Sequence, residues 1–325
     1  MKIAAIHLNN YMEYAQVRGI RVNDVKTLVK NLPPDLSNET AQIDVKDFYR
    51  VLEFINSELE DEDWGIKAGN FLAMRLLGLI YRISLHTKTI EEALHYLQSY
   101  LNATLPLITA QTEVVKNLVT IKLNIENNAE LVNRVILENA LTIIAREITI
   151  MSGEEVTIRL GTPFYKSFYP DGWQQDSAFT ICFQPGILKA ALRQGNQLHL
   201  DVLIPGFLKL IEQLKPGEDF SKKVKVTMLS MSDPQLPDIR SISNALYLTP
   251  RTLQRRLGEE NITFRKLSED LKKQVCTHLL QHESYTVSAL SHVLGYSEPA
   301  SFLHAFKKWF GDSPVKMRGR WRSEV

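Results

Sequence analysis

Apolar positions recur every three or four residues at Val45, Phe48, Val51, Leu52 and Ile55, the spacing of one helix face, and predict a helix over residues 45–59. A second is predicted over residues 90–101, where Thr89 supplies a cap and Glu91 and Glu92 put negative charge at the positive end. Residues 131–150 are apolar on most faces and predict a central buried helix. Alternation at Val119, Ile121, Leu123 and Ile125, with a break at Lys116-Asn117, predicts a hairpin over 114–125. Two short β-rich runs bounded by Gly or Pro, 156–160 and 178–183, predict further strands. Strands separated by helices make residues 1–215 an α+β domain. Beyond Phe220 the pattern changes to short helices around 224–231, 239–247, 250–259, 263–282, 287–294 and 299–310, predicting an all-α domain.

Composition supports two globular domains: 325 residues, 44% hydrophobic and 23% charged, which excludes disorder as the main state. The turn-rich Lys215-Pro-Gly-Glu-Asp-Phe-Ser221 marks the corner, giving expected domains of 1–215 and 219–325. The net charge of +1 hides an asymmetry: 21 basic against 26 acidic residues up to Glu218, and 17 against 11 after it. An acidic larger part joined to a basic smaller one points to nucleic-acid contact by the second alone. No apolar stretch approaches the roughly 18 residues of a membrane span. Lys2, His7, Asn9, Asn10 and Glu13 stand where a signal peptide needs an apolar centre, so a cytoplasmic chain with no membrane partner is expected. Cys182 and Cys276 lie far apart without a CxxC partner, which supports neither a disulfide framework nor a zinc site. No GxxxxGK[ST], GxSxG or HExxH occurs, and no catalytic residue, metal or cofactor is expected.

One stretch of the helical half occurs twice. Ile242-Ser-Asn-Ala-Leu-Tyr-Leu-Thr-Pro-Arg-Thr-Leu253 aligns with Leu290-Ser-His-Val-Leu-Gly-Tyr-Ser-Glu-Pro-Ala-Ser-Phe302, the second copy having one extra turn residue. Each copy reads as an apolar helix, a turn, then Thr249 or Ser297 as N-cap of a second helix with Pro250 or Pro299 in its first turn. Leu253 with Leu257, and Phe302 with Phe306, point into the core. This is the plan of a helix-turn-helix, whose second helix lies in a DNA major groove. The candidate DNA-binding set in the first copy is Thr249, Arg251, Thr252, Gln254, Arg255 and Arg256. Arginine can bond guanine and glutamine adenine bidentately, so this helix is expected to read bases. The second copy offers Ser297, Glu298, Ala300, Ser301, His304, Lys307 and Lys308, better suited to phosphates and positioning. A rigid linking helix of about 16 residues would span roughly 24 Å and, with its flanking helices, set the two recognition helices one DNA turn apart.

The stretch Leu248-Thr-Pro-Arg-Thr-Leu-Gln-Arg-Arg-Leu257, together with Leu294-Gly-Tyr-Ser-Glu-Pro-Ala-Ser-Phe-Leu-His-Ala-Phe-Lys-Lys-Trp-Phe-Gly-Asp-Ser-Pro314, closely resembles the DNA-binding domain of the AraC/XylS family of bacterial transcription regulators. Upstream, Asp63-Trp-Gly-Ile-Lys-Ala-Gly69, residues 78–94 and residues 179–188 resemble the sensing domain of the branch with ornithine-utilisation and VirS-type regulators. The resemblance implies double-stranded promoter DNA, a small-molecule effector and RNA polymerase as partners; a homodimer is also expected. His304 departs from the arginine usual in the family, Tyr247 stands where the second copy has Gly295, and Lys272 and Lys273 supply charge to the linking helix. The Tyr247 turn position often prefers positive φ, so local strain or an altered turn is expected in the first copy.

Arg75 and Arg82 are the only charges in the apolar run 71–85, and Arg146 lies in a similar run. With Tyr81 they form the candidate ligand-binding set, suited to a carboxylate-bearing effector with an apolar tail. An internal acid or plain exposure is the alternative, as core packing is for Phe164, Tyr165, Phe168, Tyr169 and Trp173. Two other functional classes remain open at this point: a DNA-binding protein whose N-terminal domain only oligomerises, and one carrying cysteine-based alkyl transfer. Neither thiol has a neighbouring His or Arg in sequence to activate it.

Overall fold

The computed structural model of the chain describes all residues except 30, 31, 37, 39, 73–86, 116, 153–155, 191–199, 215–218, 233–234, 282–284 and 324–325. Two compact units are present, the first ending at Arg193 and the second beginning at Gln194.

In the first unit, β1 (Lys2–Ala4) leads into α1 (Ala5–Val17) and α2 (Val22–Lys26), and pairs antiparallel with β2 (Gln42–Asp44). Next come α3 (Val45–Leu59), α4 (Trp64–Phe71) and α5 (Ile90–Thr104). The sequence periodicities at α3 and α5 are matched, including the Thr89 cap, whose side chain accepts from the Glu92 N–H. The expected hairpin is β3 (Thr109–Val115) and β4 (Leu118–Asn124), with Val115 opposite Leu118. Asn117 takes φ 61° in its two-residue turn, the left-handed geometry such hairpins require. After α6 (Glu130–Ser152) follow β5 (Arg159–Thr162), β6 (Trp173–Gln175) and β7 (Phe179–Phe183). The five strands lie in the order β3-β4-β7-β5-β6, antiparallel except for the parallel pair β5–β6. β5 therefore starts later than the 156–160 run suggested.

α6 carries the core of this unit, buried on nearly all its faces from Val132 to Met151 as its apolar sequence requires. It packs most extensively on α4, and two glycines make that approach possible. A Cβ at Gly65 would stand 2.6 Å from the Val135 carbonyl oxygen, and one at Gly69 would stand 2.9 Å from the Thr142 Cβ. Asn139 Nδ2 completes the seam by donating to the Gly65 carbonyl at 3.1 Å. Gly65→Ala must push two backbones apart and is expected to cost about 1–3 kcal/mol in urea denaturation. An unchanged denaturation midpoint would contradict this packing.

The second unit contains α7 (Leu200–Leu214), α8 (Phe220–Ser230), α9 (Ile239–Ala245), α10 (Pro250–Glu259), α11 (Phe264–Leu280), α12 (Val287–Val293), α13 (Pro299–Phe310) and α14 (Pro314–Ser323). No strand occurs among its described residues. α7 packs on α8 and α11, so the compact unit begins upstream of the corner expected at 215–221. α14 has no counterpart among the helices expected from the sequence. Its polar sequence carries little periodicity, and tertiary bonds hold it: Arg318 donates to the backbone carbonyls of Leu280 and Tyr285.

Candidate nucleic-acid interface and effector site

The repeat seen in the sequence is a repeat in space. In α9–α10 the Leu248 N–H donates to the Ser243 carbonyl at 2.8 Å; in α12–α13 the Tyr296 N–H donates to the Ser291 carbonyl at 2.9 Å. Tyr247 takes φ 56° and Gly295 takes φ 72°, so both turns pass through the left-handed region; of the two outcomes expected at Tyr247, the turn is unaltered and the strain is present, since its side chain disfavours this region. Leu253, Leu257, Phe302 and Phe306 are fully buried and anchor the second helix of each unit. Thr249 caps α10 by accepting from the Thr252 N–H. The expected cap at Ser297 is corrected. Pro299 fixes the first helical position, so the residue before it, Glu298, occupies the cap, and its side chain makes no capping bond. Ser297 is the extra turn residue.

The outward faces differ in how free their charges are. Arg251 and Gln254 are exposed, and no side-chain partner engages them among the described residues. Arg255 is exposed but bound, its Nη1 2.6 Å from Glu259 Oε1. Arg256 lies 5.5 Å over the Phe220 ring. Beside it Glu260 accepts from the Phe220 and Ser221 N–H groups at 2.5 and 3.0 Å, tying the end of α10 to the start of α8. On α13, Ala300, Ser301, His304, Lys307 and Lys308 are all exposed. Lys272 and Lys273 are spent within the fold. Lys272 sits 4.7 Å over the Tyr296 ring, and Lys273 pairs with Glu269 at 3.3 Å and lies near Trp309, so together they fasten the linking helix α11 to the second repeat.

Of the expected effector residues, Arg75, Tyr81 and Arg82 lie outside the described residues, and Arg146 is half-buried on α6. Of the aromatic cluster, Tyr169 and Trp173 serve the interior, Phe164 is half-buried and Tyr165 is exposed. Tyr169 is buried edge-to-face against Trp173 at 5.7 Å and donates to Glu138 at 2.8 Å, whereas Phe168 is exposed. Sequence reasoning passed over the buried charges that surround it. Arg134 Nε reaches Glu138 Oε1 at 3.3 Å, and Thr162 donates to the same oxygen at 3.1 Å. A second network joins Arg18, Asp61, Asp63 and Lys67, with Lys67 Nζ 2.6 Å from Asp63 and 3.1 Å from Asp61. Burial and the neighbouring Asp61 push the Asp63 carboxyl up to about 6 despite Lys67.

Glu147 stands apart on α6. It is fully buried, and among the described residues neither of its carboxyl oxygens receives a hydrogen bond, whereas Glu138 lacks a partner at Oε2 alone. Burial pushes this carboxyl up to about 8. The folded chain then holds a proton that the unfolded chain has already lost above its ordinary value near 4.3, so stability falls as pH rises towards 8. Between pH 6.5 and 8, above the range of Asp63, the melting temperature of the natural chain should drop while that of Glu147→Gln stays flatter. Parallel curves would contradict this reading. Arg146 and Glu147 together interrupt the same apolar run, so the signal that singles out the first applies equally to the second.

Thiol chemistry finds no support. Cys276 is fully buried, which pushes it up to about 12, and the Cys182 sulfur lies 3.6 Å from the neutral Thr120 hydroxyl. Among the described residues no cluster of metal-ligating side chains occurs, and no helix is long and apolar enough to cross a membrane.

Residues 242–320, the span of both repeats, match the helix-turn-helix domain family, and residues 29–162 match the arabinose-binding domain of AraC transcription regulators, N-terminal. The chain belongs to the AraC family. The HTH-type transcriptional regulator VqsM of Pseudomonas aeruginosa is 34% identical over 112 residues, a match spanning 31% of this chain and 34% of that one. The chain thus covers about a third of that relative's length. The HTH-type transcriptional regulator VirS of Mycobacterium tuberculosis is 21% identical over 305 residues, 89% of this chain and 88% of that one. The crystal structure of the Pseudomonas aeruginosa transcriptional regulator CdpR aligns over 92% of this chain and 96% of its own at 18% identity, with a TM-score of 0.35. These relatives are named as transcriptional regulators and not as enzymes.

Proposed function

We propose that this AraC-family chain is a sequence-specific DNA-binding regulator whose second unit lays α10 and α13 into successive major grooves and whose first unit binds a small-molecule effector. The observation that carries the DNA reading is the duplicated helix-turn-helix, with second helices buried on one face by Leu253, Leu257, Phe302 and Phe306 and presenting Arg251, Gln254, His304, Lys307 and Lys308 on the other. In this reading Arg251 and Gln254 contact base edges, while Lys307 and Lys308 contact phosphates. Arg255 contributes only after exchanging Glu259 for DNA, because the pair already occupies its guanidinium. The effector reading is supported by the match of residues 29–162 to the arabinose-binding domain family. The effector acts only to the extent that it binds the DNA-competent and incompetent arrangements with different affinity.

Footprinting of the full chain on a selected duplex tests the two-helix reading. Two protected segments about one helical turn apart on one DNA face are expected. A single short segment, unchanged when α13 carries Lys307→Ala and Lys308→Ala, would overturn the role given to the second repeat.

A further inference from the structure

We propose that Glu147 anchors an internal site in the first unit for a small organic cation, an alkylammonium or amidinium with an apolar body. This rests on the reading of the first unit as an effector-binding domain and names the chemical class of its ligand.

The neighbouring acid on the same helix sets the standard. Glu138, equally buried, is met at Oε1 by Arg134, Tyr169 and Thr162 while its Oε2 has no partner among the described residues, so a carboxylate with a structural task on this helix is held at one oxygen at least. Glu147 has 0% exposure and, among the described residues, no donor at either oxygen. An unpartnered buried carboxyl is among the costliest groups a core can hold, and such groups concentrate at sites completed by something else. Its surroundings are apolar: Ile144 and Ile148 are buried beside it, and Met151, one turn on, packs against Ile90, Ala93 and Leu97 of α5. Methionine is unbranched and adaptable, and so suits a wall that moves to admit a ligand.

A second orphan has the same sign. Asn10 Oδ1 on α1 is buried without a donor among the described residues. It stands one turn from His7, whose Nε2 meets Thr104 of α5 at 2.9 Å and whose burial holds it down to about 4, hence neutral. These orphans, on two helices flanking α5, are acceptors. The complement of Glu147 is a hydrogen-bond donor, and at a carboxylate a cationic one, with up to three N–H donors for an ammonium.

The test uses the full chain and thermal-shift titration with n-butylammonium and benzylammonium chloride, with 1-butanol and sodium butyrate as neutral and anionic controls. At least one ammonium should raise the melting temperature saturably, the two controls should not, and Glu147→Gln, which keeps the side-chain shape, should weaken that response at least tenfold. An equal response in Glu147→Gln, no response to either ammonium, or an equal response to butyrate would each overturn the proposal. Operator binding is measured on the same samples. Loss of the cation response with DNA binding retained refutes only the cation site, and loss of DNA binding with the cation response retained refutes only the regulator reading.

Discussion

Lys67→Met is expected to lower stability by about 3–5 kcal/mol, the usual cost of breaking a buried ion pair from one side. The Lys67 side chain is 7% exposed, and its ammonium is shared between Asp61 and Asp63, which are as deeply buried. Arg18 remains on Asp61 at 2.7 Å, so that acid keeps a cation. Asp63 keeps none. Already pushed up to about 6 by burial and by Asp61, it would take up a proton rather than stay ionised, and the variant should lose more stability at pH 8 than at pH 5. Urea denaturation at both pH values checks this. A loss below about 1 kcal/mol would put the network on a par with solvent-exposed ion pairs and contradict its buried role.

Arg251→Ala is expected to weaken binding to the preferred DNA by about 1–3 kcal/mol while leaving non-preferred sequences nearly unaffected. Arg251 sits in the first turn of α10, where recognition helices meet base edges, and among the described residues it has no side-chain partner to give up. Arg255→Ala should cost less, since the native guanidinium must first leave Glu259 at 2.6 Å. Lys308→Ala should weaken all sequences alike and reduce the salt dependence by about one phosphate contact. Competition binding against scrambled duplexes separates these outcomes. Uniform weakening by Arg251→Ala would reassign that residue to the phosphates.

How much of this was legible in the sequence depended on whether local chemistry or tertiary contact decided each feature. α3, α5, α6, the β3–β4 hairpin and both helix-turn-helix units were legible because periodicity, caps and turn residues all pointed one way. The strain at Tyr247 was legible, as one of two outcomes, because its partner position in the repeat is Gly295. The cap at Ser297 was misplaced by one residue because serine is the better capping side chain, yet Pro299 dictates the register. β1, β2 and β6 are three residues each, too short for alternation to register. α1 mixes His7, Asn10 and Glu13 with its apolar residues and shows no clean stripe, and only tertiary burial reveals it. The Asp63-to-Gly69 stretch stands out in the sequence through resemblance alone; the structure supplies its physics, an i,i+4 buried ion pair and two glycines under α6. Lys272 and Lys273 look like DNA charges because a sequence does not show that aromatic rings of the second repeat stand over them.

The most direct test of the regulator reading is salt-dependent binding of the full chain to a duplex selected from a random-sequence pool. A preferred sequence should be bound at least roughly a thousandfold more tightly than scrambled DNA, with log affinity falling linearly as log salt rises, at about 0.9 per phosphate contact. Failure to select any sequence, or binding indifferent to salt over a range of roughly 50 to 200 mM, would contradict it.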